Sequence, residues 1–472
     1  MLAHLNIFRI SPEARFGELL VIYGIELYIN HNFDAIKEVQ MNLKKIFAVS
    51  IAGLLTVFIL FGCTALQQAS DTTEDVTTSL HFVDYTRQGD GNGTDDGYYR
   101  LVPRADSSNN ICFVDYKSRT QVYLCNRPEC EHCDDTCTSW LPYGAGGGAL
   151  FATEDHLYYL SFGNRNPDVV EAIGKDALPQ LIQLARNGTE KEVMHTFGAA
   201  DIIREGVVFD HDNIYFICDS FENFEQNGNL PERILYQYDI TDRVLNKLEE
   251  LSPDDQIIGT SQREIFLSTT EGAADLSLDA ENLQTKVWSY NVDTHEKYDL
   301  LTHSYLTVGR AYDGVYYLYD PSTTALSKIA MIQDGQTEVI REAVFDTEFC
   351  TYPYEVKTVW GKHLFIMYEI PQNNERTEYK ATLQSIDLVS GEVEPINLRT
   401  DVIFGTTTPK EVEIVDETSD QFLVIASVEY IDVTIPLTNA PITLSYPYFH
   451  YALIDKPDYL DSKPNYIPIE IG

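Results

Sequence analysis

Short apolar and aromatic runs return along this chain at a nearly fixed interval, and a recurring unit of that size leaves few folds open. The runs are Tyr98–Leu101, Leu157–Leu160, Ile214–Ile217, Ile265–Ser268, Val315–Leu318, Leu364–Met367 and Phe422–Ile425. Their starts lie 49 to 59 residues apart. Turn-forming residues stand just before several of them, as in Glu154-Asp155-His156, His211-Asp212-Asn213 and Asp313-Gly314. After most runs a second pair of strands follows around a tight turn, as in Ile234–Asp242, Val287–Asp293 and Leu383–Glu392. About four antiparallel strands per unit, repeated about seven times, predict an all-β chain folded as a β-propeller of seven four-stranded blades, with six or eight as the alternatives. The strand after the turn would be the inner hydrophobic one, and Lys247–Glu250 would belong to a polar outer strand. Seven units result if Leu80–Tyr85 completes the first.

Helix has little support. Val169–Leu184 alone has helix-like composition, and Pro179 interrupts it. A β-solenoid needs shorter coils, and paired sandwiches would not keep one period through both halves. The last unit is irregular: Val428–Tyr448, rich in Pro, Thr and Ile, predicts an added hairpin at the rim or a strand exchange that closes the ring. Tyr466–Ile471 reads as a final outer strand, where Pro468 is tolerated.

The region before the repeats sets location. Met41–Gly62 has a charged start (Lys44, Lys45), an apolar run (Ile46–Gly62) and a small residue directly before Cys63. This is the pattern of a lipoprotein export signal, with residues 41–62 removed and Cys63 carrying lipid. Two acyl chains hold a protein stably where one would not. The alternative is an uncleaved single anchor. Residues 1–40 precede a signal that should itself be N-terminal, so Met41 is read as the start and 1–40 as an upstream extension. Residues 63–79 form a tether. The polar, Gly-containing composition of that tether continues to Asp95, with Leu80–Tyr85 a candidate strand inside it and 80–472 the propeller.

The sequence has 73 acidic against 33 basic residues, a net charge of −40. Nucleic acid is thereby disfavoured as a partner, because a phosphate backbone is held by clustered Lys and Arg. Such acidity suits solubility outside the cell or attraction of cations. We expect a monomer at the extracytoplasmic face of the cell membrane.

The sharpest local chemistry lies in residues 125–137, where Cys125, Cys130, His132, Cys133 and Cys137 follow the strand Gln121–Leu124. Zn²⁺ takes four sulfur or nitrogen ligands in a tetrahedron, and Cys125, Cys130, His132 and Cys137 would supply them. Disulfides are the competing and leading reading for an exported protein, ahead of a metal, and reactive thiols are a third. The spacing matches no standard zinc finger. A four-ligand site leaves no open position for metal catalysis.

Other candidates are weaker. Asp90–Asp96 imitates a calcium loop but has Asp95 where the turn needs glycine. Asp210–Asn213 reads as a turn rather than a metal site. Tyrosines dominate the aromatic content and read mostly as core, while Tyr143 and Tyr312, in connections, could line a binding face. No Gly-x-Ser-x-Gly elbow, His-Glu-x-x-His, phosphate loop or sialidase box occurs.

The lipobox, the Thr/Asp-rich tether, the segment Val122-Tyr123-Leu124-Cys125-Asn126-Arg127-Pro128-Glu129-Cys130-Glu131-His132 with a later cysteine, and the recurring Leu-Tyr-Tyr-Leu strands together resemble a group of propeller lipoproteins of Gram-positive gut bacteria (Firmicutes), similar to TolB-like propellers. The resemblance runs from Met41 to Gly472. It implies Cys125, Cys130, His132 and Cys137 as the shared set and leaves Cys133 as an extra thiol; it brings no activity with it. The expected function is a surface-anchored binding or scaffold propeller for an envelope protein or a glycan. The alternatives are a glycan-cleaving enzyme with carboxylates or histidines in the central channel, and an accessory of an envelope complex.

Overall fold

In the computed structural model, residues 79–84 and 91–472 are described, apart from the internal stretches 143–146, 271–282, 331–336, 342–352, 372–378, 403–408 and 438–440 and a few single positions. Residues 1–40, the export signal, Cys63 and the tether up to residue 78 lie outside the described residues. Among the described residues no helix is long and apolar enough to cross a membrane.

Seven sheets of mostly four antiparallel strands form the blades of a β-propeller, and a separate two-stranded sheet, Arg399–Val402 with Pro409–Glu411, lies between the sixth and seventh in the chain. Every repeated run named above falls in the second strand of a blade, from Gly97–Pro103 in blade 1 to Gln421–Ile435 in blade 7. The innermost strand is therefore the one before the turn, not the one after it. A second strand is buried on both faces, which is why it reads as continuously apolar. In blade 3, Ile214, Phe216 and Cys218 face the core shared with blade 2, while Tyr215 and Ile217 face the core shared with blade 4. Lys247–Glu250 lies in the outer strand Val244–Leu251, as expected of its polarity.

Seven hydrophobic clusters hold the ring, each spanning two neighbouring blades. The cluster of Tyr98 and Val114 with Leu423, Ile425, Tyr451 and Leu453 joins blade 7 to blade 1. Each fully buried large side chain contributes roughly 1.5–3 kcal/mol, so closure rests on interblade packing more than on the short strands at the seam. The aromatic core is real: Tyr98, Tyr159, Tyr215, Tyr238, Tyr290 and Tyr319 are fully buried.

Both chain ends depart from expectation. His81–Val83 does not complete blade 1. It pairs antiparallel with Val207–Phe209, the innermost segment of blade 3, on the side that faces the ring axis. Blade 1 has its own innermost strand, Gly91–Thr94, where composition suggested tether. Its glycines serve close packing: a Cβ on Gly91 would collide with the Tyr98 ring, and one on Gly93 with the Asp416 carboxylate. At the other end, Ile467–Pro468 is the outer strand of blade 7, and Glu470–Ile471 then crosses to run parallel to Thr120–Gln121, the outer edge of blade 1.

The irregular last unit is a long hairpin, Gln421–Ile435 with Ile442–Asp455. It reaches beyond the rim across two blades. The Thr434 amide donates to the Ala105 carbonyl at 2.8 Å, and Arg100, buried in blade 1, donates to Phe449 O at 2.9 Å and lies 4.4 Å from the Tyr451 ring centre. The hairpin's Ile435 and Leu437 pack on Val169 and Ala177. Those residues belong to the short helix Pro167–Ile173 and the 3₁₀ turn after it. The helix is shorter than the sequence suggested. Asn166 caps it, Pro167 starts it, Gly174 at φ 75° stops it, and Gln180–Ala185 is already the third strand of blade 2.

Candidate metal centre

Blade 1 positions the cysteine-histidine loop by both of its feet. The outer strand Thr120–Tyr123 ends where the Leu124 amide donates to Ile111 O at 2.9 Å. The loop returns where the Ile111 amide donates to Ser139 O at 2.8 Å. One residue of the third strand thus fixes entry and exit. Inside the loop two tight turns do the folding: Cys130 N donates to Arg127 O across Pro128, and Cys137 N donates to Asp134 O. Asp134 Oδ1 accepts from the Thr136 amide and hydroxyl, at 3.0 and 2.6 Å.

These turns bring Cys125, Cys130, His132 and Cys137 together, with their ligand atoms all within 4.8 Å of one another. His132 takes a left-handed backbone conformation at φ 54° and points Nδ1 at Cys137 Sγ, 3.3 Å away. Its ring is stacked on Tyr123, centroids 4.3 Å apart. The fully buried Asn110 donates to the His132 carbonyl and to Ser139 Oγ, both at 3.1 Å. Cys133 is turned outward: it is exposed, and its sulfur lies 4.0 Å from Glu131 Oε2. The four-residue set can therefore hold a metal ion, and the fifth candidate stands outside it.

The donor chemistry fits zinc. Tetrahedral Zn–S bonds of about 2.3 Å put sulfur atoms about 3.8 Å apart, so the four ligands need only a small contraction. Three thiolates and a neutral imidazole would leave the loaded site with one negative charge. Arg127 Nη2 is 3.2 Å from Cys130 Sγ, and the Lys191 ammonium of blade 2 donates to the carbonyls of Cys137 and Trp140. Burial pushes the Cys125 thiol up, but hydrogen bonds with the Arg127 backbone, Thr138, Cys137 and Cys130 outweigh it and bring it down to about 7. Burial keeps His132 below the usual imidazole value, the neutral form a metal ligand needs. Burial instead raises Cys112 to about 12, as befits a core thiol. All described cysteines are free thiols.

The remaining candidates resolve plainly. Asp95 and Asp96 form the turn between the first two strands of blade 1, so the calcium-like stretch is part of a hairpin. Asp210 Oδ1 accepts from the amides of Asp212 and Asn213, the turn the sequence suggested. Tyr312 ends the innermost strand of blade 5 and packs into the core shared with blade 6 rather than lining a face. Tyr143 lies outside the described residues.

No protein-family model matches the sequence, and no curated protein matches it. Among solved structures the chain is similar to a prolyl endopeptidase (9% identity, 81% of this chain, TM-score 0.47), of which it spans 55%. It is similar also to an oligogalacturonate lyase from Vibrio parahaemolyticus (12% identity, 75% of this chain and 84% of the other, TM-score 0.40) and to TolB from Acinetobacter baumannii (10% identity, 78% and 77%, TM-score 0.34). Such distant similarities concern the fold alone.

Lys191 and Asn110 escaped sequence reasoning. Neither carries a motif, and Lys191 lies 54 residues beyond Cys137, brought back by the blade repeat.

Proposed function

We propose that this chain is a binding propeller, held at the outer face of a cell membrane by lipid on Cys63, that engages an envelope protein or a glycan. The observation that carries this reading is the state of the ring centre. A catalytic propeller needs ionisable groups converging on an open channel, whereas here residues 79–84 lie in it. Well-buried carboxylates are engaged structurally, Asp219 by Arg233 at 2.6 Å and Asp210 by Arg263 at 2.8 Å. Binding would then fall to the loops and to the long hairpin. Proximity labelling on intact cells, followed by a glycan array, tests this reading. Reproducible enrichment of one envelope protein or one glycan class is expected; turnover of an oligosaccharide by the purified chain would overturn it.

Cys125, Cys130, His132 and Cys137 would hold a structural zinc that replaces a hydrophobic core in the loop. The His132 Nδ1 aimed at Cys137 Sγ favours metal over disulfides, in which that nitrogen would take no part. Metal analysis with intact mass measurement decides: one zinc per chain and free thiols after denaturation are expected, while a mass two hydrogens lower per cysteine pair without zinc would refute the site.

A further inference from the structure

Residues 79–84 lie along the axis-facing side of blades 2 to 5, as a ligand would. Of the seven blades, only blade 3 has its channel-facing edge paired by an added strand among the described residues. The three-residue ladder His81↔Phe209, Phe82↔Val208, Val83↔Val207 supplies main-chain recognition. Side chains supply the rest. Leu80 enters the core between blades 3 and 4, and Val83 the core between blades 2 and 3. Phe82 packs beside Gly206, whose φ of 89° interrupts the blade edge. Blade 4 adds the Leu80 amide bond to Gln262 O at 3.0 Å and the Thr260 hydroxyl bond to Leu80 O at 3.3 Å. Blade 5 adds Arg310, 2.5 Å from the Asp84 carboxylate. Six residues thus reach four blades, and they precede blade 1 without belonging to it.

We propose that the inner edge of blade 3, with the flanking pockets and Arg310, is an acceptor for an extended peptide strand, of which residues 79–84 are the resident occupant. The partner is a protein segment with the same chemistry: an apolar residue, a spacer, two adjacent apolar residues and a carboxylate, added to the sheet edge as a strand. The resident competes intramolecularly, at an effective concentration a free segment must overcome, so the acceptor is open only when the resident leaves. This inference rests on the binding reading above and adds to the loops and hairpin a second site, at the axis-facing edge of blade 3, for one ligand class.

The test uses the full chain with a specific protease site inserted between Asp84 and Gly91. After cleavage a fluorescent peptide of sequence Ser79–Asp84 is added and followed by anisotropy. Saturable one-to-one uptake by the cut ring is expected, with uptake by uncut chain weaker by roughly 10²-fold. A peptide carrying Asp in place of Val83 should not bind, and Arg310→Met should weaken binding about tenfold. Three results would overturn the proposal: a cut ring that keeps its melting temperature and takes up no label, equal uptake by uncut chain, or collapse of the ring when the resident dissociates. Uptake accompanied by dimers that exchange residues 79–84 would replace the foreign partner with a second copy. Failure here leaves an envelope partner at the loops untouched, because proximity labelling and the glycan array read that separately.

Discussion

The two ends of the propeller are both short strands added to a blade, yet they are added in opposite ways. His81–Val83 sits at the axis, antiparallel, with Leu80 and Val83 only 6% and 4% exposed. Glu470–Ile471 sits on the outermost edge of blade 1, parallel, both residues exposed. The contrast teaches that a backbone ladder of two or three residues is a weak holder, and that what the side chains bury decides how firmly an end is held. The seam between blades 7 and 1 does not depend on its parallel strand, because the cluster around Tyr98, Leu423 and Leu453 already spans it.

The comparison can be broken most forcefully at the axis. Val83→Asp puts an unpaired carboxylate in an apolar core and should lower unfolding free energy by about 3–5 kcal/mol. Because the strand can leave instead of dragging the ring down, the double variant Leu80→Asp with Val83→Asp should cost little more. Urea midpoints decide, and additive losses would show that the strand is inseparable from the core. Next comes Arg310→Met, which removes the ion pair with Asp84 and should cost about 2 kcal/mol or less by the same measurement. Deleting residues 470–472 should cost about 1 kcal/mol or less. A larger loss there would mean that closure does rest on the rim strand. The smallest effect is pH-dependent. His81 is exposed to solvent, yet desolvation by the protein around it holds it below the ordinary imidazole value, with Asp210 opposing. Its neutral form is the one the fold prefers, so its contribution is complete above about pH 6.5 and fades as pH falls from there towards the lowered value. Protection of the 81–83 amides, relative to the intrinsic base-catalysed exchange rate at each pH, should therefore fall between pH 7 and 5, while that of the 470–471 amides stays unchanged.

Much of this architecture was legible. The second strands announced themselves because burial on both faces demands unbroken apolar runs, and their spacing gave the blade count. The gathering of Cys125, Cys130, His132 and Cys137 was legible too, since they are close in sequence and folding needed only two tight turns to bring them together. What misled was glycine. Gly91 and Gly93 read as linker, whereas they are small because Tyr98 and Asp416 stand where a side chain would go. Nor could local pattern show where Leu80–Asp84 would dock. Its partners in blades 2 to 5 lie far along the chain, and a short apolar strand fits any blade edge equally well. Pro167 and Gly174 bounded a helix that composition alone had stretched to Leu184.

The hairpin of blade 7 has a consequence for how the chain comes to be folded. Its tip rests on a helix made some 260 residues earlier, and the axial strand waits for Val207–Phe209, more than 120 residues later. Closing loops of that length costs entropy before any contact rewards it, which makes the search for the native topology slow. Residues 79–84 can dock on Val207–Phe209 long before the last segment arrives to shut the ring. A chain released before residue 421 would therefore hold a nearly complete set of blades, yet remain an open arc with its first and sixth blades exposing apolar edges.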